Sequence, residues 1–98
     1  MISLIKELNS CELQMIKARL AYQTAKEELS QAVYAHSQAE CAVNLCADQP
    51  RVHRLGACTI RREQALLDAY STSTEYIQTM ERYFRILSAK DLAEESRA

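Results

Sequence analysis

The chain has 98 residues, a formal net charge of −1, one Gly, one Pro and no Trp. That length allows a single domain at most, and a charge so near zero gives the whole protein no electrostatic bias toward nucleic acid or membrane. The scarcity of turn residues excludes a compact β or α/β fold, which would need several turns. The remaining composition, rich in Ala, Leu, Glu, Gln, Lys and Arg, favours few and long helices.

The first segment carries only scattered apolar residues, interrupted by Lys6 and Glu7, so it does not read as a signal peptide. No run approaches the roughly 18 apolar residues of a membrane span. The expectation is a cytoplasmic protein, of a cell or of an infected host. Its four cysteines, Cys11, Cys41, Cys46 and Cys58, are then reduced thiols.

A first helix is expected over about residues 2–47. Leu8, Met15, Tyr22, Leu29, His36 and Val43 recur every seventh residue. Leu4, Cys11, Ala18, Ala25, Ala32, Ala39 and Cys46 form a second series, interleaved at spacings of four and three. This is a heptad seam with one large row and one small row. The small row asks for a close helical neighbour.

Ala47-Asp48-Gln49-Pro50 breaks the pattern. Pro50 disfavours helix at Gln49, and Asp48 is a good N-cap for a helix with Pro in its first turn. A connection this short makes the two helices antiparallel neighbours.

The second helix is expected over about residues 50–90, with Gly56 as a weak point. Its packed stripe reads as Leu66, Tyr70, Ser73, Ile77, Met80, Phe84 and Leu87. The hydroxyl run at residues 71–74, with Thr72 and Glu75 at capping-box spacing, is a possible kink or break. The apolar phase carries through it, which favours one uninterrupted or bent helix. Residues 91–98 read as a polar, frayed tail. Folding back at Asp48 places positions summing to about 97 side by side. This pairs Leu8 with Leu87, Met15 with Met80 and Phe84, Leu29 with Leu66 and Leu67, and Val43 with Leu55. The fold class is therefore all-α: a long antiparallel helical hairpin, expected to pair into a larger helical bundle.

Two helices bury only a stripe each, and a domain of this size needs more. Tyr76, Met80, Tyr83 and Leu87 form a second stripe on the C-terminal part of the second helix. It reads either as the wet edge of one wide core or as a surface for a second chain. The second reading makes these four the candidate partner-binding anchors, with another protein or a second copy as the partner.

Cys41, Cys46, His53 and Cys58 surround the turn, but their spacing departs from the tight pairs of zinc fingers, so packed thiols are the simpler reading and a zinc-stabilised helical protein is a further alternative. His36 lies in the seam one turn before Glu40 and reads as a core-edge histidine. Arg51, Arg54, Arg61 and Arg62 give a local excess of about +4, the basis of an alternative role with nucleic acid. Aromatic residues to stack bases are missing from that stretch. No phosphate-cradling loop or catalytic constellation is present, and no cofactor is expected. The function expected is non-catalytic protein–protein interaction by a small helical adaptor, chaperone or inhibitor.

Overall fold

A computed structural model describes residues 2–97. The protein is an all-α helical hairpin. Helix α1 spans Ile2–Leu45 and helix α2 spans Gln49–Arg97, and the two pack against each other. The chain divides into two compact units, each built from a piece of both helices. Unit 1 holds residues 1–22 and 72–98, and unit 2 holds residues 23–71.

Residues 46–48 are the only non-helical stretch among the described residues, so α1 ends two residues before the expected point. Asp48 caps α2 as its side chain predicts. The Arg51 backbone N–H donates to Asp48 Oδ1 at 3.0 Å, and the Val52 N–H donates to the Asp48 carbonyl at 3.0 Å. Pro50 falls inside this first turn, where its missing N–H costs nothing. The Arg51 guanidinium also pairs with the Asp48 carboxylate. Asp48→Ala should destabilise the fold by about 1 kcal/mol in chemical denaturation, because it orphans a helix N–H.

The small row of α1 is the buried one. Cys11, Ala18, Ala32 and Ala39 are buried, and Ala25 is half-buried. Cys46 departs from the expectation. It lies past the end of α1 and is exposed, with its thiol 3.8 Å from Asp48 Oδ2. The large row, from Leu8 and Met15 through Tyr22 to Val43, is half-buried beside it, and so is Leu4 at the start of the other row.

Helix α2 meets α1 on a different face from the one its hydropathy suggested. In unit 2 the inward positions are Leu55, Cys58, Arg62, Ala65 and Ala69. In unit 1 they are Thr72, Tyr76, Thr79, Tyr83 and Ile86. These too recur at alternating spacings of three and four. The expected stripe sits one residue further on, about 100° around the helix. Leu66, Tyr70, Ile77 and Phe84 are exposed, and Leu67 with them, so the expected pairings of Leu29 with Leu66 and Leu67, and of Met15 with Phe84, do not form the core.

Close packing explains the choice. The large row of α1 fills much of the space between the helices, so α2 offers small and hydroxyl residues there, Tyr76 and Tyr83 among them, and leaves Leu66, Tyr70, Ile77 and Phe84 outside. Two threonine hydroxyls at or beside the seam are satisfied within their own helix. Thr59 Oγ1 donates to the Leu55 carbonyl at 2.9 Å, and Thr79 Oγ1 lies 2.8 Å from the Tyr76 carbonyl.

The expected register holds within each unit. The Tyr22 and Tyr76 rings lie 6.2 Å apart in unit 1, and His36 approaches Arg62 in unit 2. Residues 71–74 are α-helical, so α2 does not restart at the hydroxyl run, and it continues to Arg97, past the expected end at residue 90. Gly56 is helical and exposed, and a Cβ added there would meet nothing within 4 Å. Gly56→Ala should therefore raise stability by about 0.5–1 kcal/mol in the same denaturation assay.

Candidate protein-interaction face

Antiparallel helices bring like flanks of their seams together, which fixes which surface residues of unit 1 share a side. In unit 2 the residue before each large seam position marks one flank. There Glu28, before Leu29, meets Arg61, before Arg62. Arg61 Nε donates to Oε1 at 2.8 Å and Nη2 to Oε2 at 3.2 Å. This two-pronged hydrogen bond, with the Arg61 charge, holds the Glu28 carboxyl below its ordinary pKa. Its contribution is complete above the unfolded carboxylate pKa and is lost as pH falls through the depressed one. Unit 1 repeats the geometry. Gln14 and Ala21, which precede Met15 and Tyr22, line one open depression together with Glu75, which precedes Tyr76.

The opposite flank carries the residues that follow the seam positions. In α1 these include Ile5 and Ile16, and in α2 they include Ile77 and Phe84. All four are exposed: Ile5 at 40%, Ile16 at 38%, Ile77 at 47% and Phe84 at 56%. Met80 and Leu87 lie half-buried on the same side of α2. Within unit 1, both helices therefore contribute large apolar side chains to one open face.

The α2 half of that face forms a second depression, lined by Ile77, Met80, Glu81, Phe84, Arg85 and Ser88. These are two overlapping sets at i, i+3, i+4, i+7. One is Ile77, Met80, Glu81 and Phe84, and the other is Glu81, Phe84, Arg85 and Ser88. Each is the four-residue hole that receives one side chain of a facing helix.

The four anchor candidates separate. Tyr76, half-buried, sits against Tyr22 of α1, and Tyr83, also half-buried, holds an edge-on ring contact of 5.4 Å with Phe84. Met80 lines the open depression and Leu87 flanks it. Sequence reading assigned Ile77 and Phe84 to the core. Their place one step after the seam tyrosines was the available signal, hidden because hydropathy alone ranked them as the packed face.

The arginines near the turn are less of a patch than their number suggests. Arg51 pairs with Asp48 and Arg61 with Glu28, while Arg62 Nη1 lies 3.4 Å from His36 Nδ1. For Arg62 to donate to Nδ1, the imidazole must carry its own proton on Nε2. Glu40 stands 3.7 Å from the same nitrogen. Arg54 is exposed and has no ion pair among the described residues.

The proposed zinc quartet is not assembled. Cys41 and Cys46 are exposed, Cys58 is half-buried in the seam, and no three His, Cys, Asp or Glu side chains among the described residues are grouped to hold a metal. No helix among the described residues is long and apolar enough to cross a membrane. No protein-family model matches the chain, no curated protein matches it in sequence, and no solved structure matches it in fold.

Proposed function

We propose that the chain is a non-catalytic protein–protein interaction module that works by burying a helix face. One observation carries the reading. The hairpin packs its Ala, Cys and Thr positions inward and leaves Ile5, Ile16, Ile77 and Phe84 of unit 1 in solvent, beside sockets shaped for another helix. Met80 and Leu87 remain anchors in this reading, while Tyr76 and Tyr83 serve the hairpin itself. The four free thiols fit a reducing compartment, and we place the protein in the cytoplasm.

Phe84→Glu tests the reading. Immobilised wild-type chain, exposed to both its own soluble copies and a native-host extract, should retain a protein that the variant does not hold. The variant's helicity should stay unchanged, because Phe84 faces solvent. Equal retention by the two would contradict an interaction through this face.

A further inference from the structure

We propose that the occupant of the open face in unit 1 is a second copy of the same chain, docked as an antiparallel pair of α2 segments within a four-helix bundle. The proposal rests on the interaction-face reading and names its partner. Three observations support self-association.

The first is shape. Each socket on α2 has the four-residue outline that accepts a knob from a helix, and the same stretch carries its own knob, Phe84. A face that holds both knob and hole is complementary to itself across a two-fold axis.

The second is charge. Around this face Lys6, Arg19 and Arg85 stand with Glu12, Glu81 and Asp91, all exposed. A surface of one sign would repel its own copy, and this one carries both signs. Glu81 and Arg85 are one helical turn apart in the wall of the depression. A two-fold axis at the level of residue 83 sets Glu81 against Arg85 of the second copy, twice.

The third is area. The chain exposes 7159 Å². A compact globular monomer of 11.2 kDa exposes about 5,700 Å² by the usual surface–mass relation, some 1,500 Å² less over the whole chain. A standard interface removes about 800 Å² from each partner, so the surplus is enough for a dimer interface.

Sedimentation equilibrium of the full chain over a range of concentrations tests this. The expected mass is twice that of the chain. Phe84→Glu and, on α1, Ile16→Glu should each weaken dimerisation about 100-fold or more while leaving helicity intact. Charge reversal identifies the pairing. Glu81→Arg alone and Arg85→Glu alone should each be largely monomeric, and an equimolar mixture of the two should recover a dimer, because each then meets the opposite charge. A monomer at every concentration overturns the proposal, as does a dimer indifferent to Phe84→Glu, or a mixture that fails to recover. If the chain is monomeric yet Phe84→Glu still loses a host protein, the second copy is wrong and the interaction face survives. If the monomer loses nothing on Phe84→Glu, both are wrong.

Discussion

Replacing Ala32 with Leu should lower the unfolding free energy by about 1–3 kcal/mol, read from urea denaturation followed by circular dichroism. Ala32 is 0% exposed. Three added heavy atoms have no room unless the helices move apart, and separating them undoes the close approach that the small row permits. Ala25→Leu should cost less, because Ala25 is only half-buried. Neutral or stabilising results at both positions would mean that the small row does not line the interhelical seam.

Tyr76→Ala should destabilise the hairpin by about 1–3 kcal/mol, while Leu66→Ala on the same helix should stay within about 0.5 kcal/mol. Tyr76 is half-buried with its ring 6.2 Å from that of Tyr22, so truncation removes packed area and an aromatic pair. Leu66 is 58% exposed and has less buried area to lose. The contrast distinguishes the two faces of α2. If Leu66→Ala proved the costlier change, α2 would present its most hydrophobic stripe to α1 after all.

The architecture was legible for identifiable reasons. Asp48 followed by Pro50 is a local signal, and the cap forms as that signal implies. The Ala and Cys row of α1 was legible because it recurs at heptad spacing, interleaved with the row of large residues. The rotation of α2 was not legible in the same way. Its two candidate stripes differ by one residue, and hydropathy prefers Leu66, Tyr70, Ile77 and Phe84. Which stripe turns inward depends on the volume already filled by Met15, Tyr22 and Leu29 on α1, and a helix read alone does not contain that information. The same limit applied to charge. Arg61 counted as part of a basic excess until Glu28, 33 positions away in the chain, was seen to pair with it.

That rotation also relocates the candidate site. Tyr76 and Tyr83 looked like surface anchors because the stripe beside them looked like core. With the helix turned by one position, the roles exchange. The tyrosines join the seam, and Ile77 and Phe84 become the open face, with Met80 common to both readings. Leaving Ile77 and Phe84 outside is unfavourable for a solitary hairpin and sound for one that docks on another helix.

Hydroxyl-radical footprinting of the unmodified protein tests this division of α2 most directly, since it reads side-chain accessibility at native aromatics without substitution. Tyr70, 74% exposed, should be oxidised several-fold faster than Tyr76, which is half-buried beside Tyr22. Tyr76 reacting as fast as Tyr70, or faster, would contradict the account, because the seam and the open face would then have changed places.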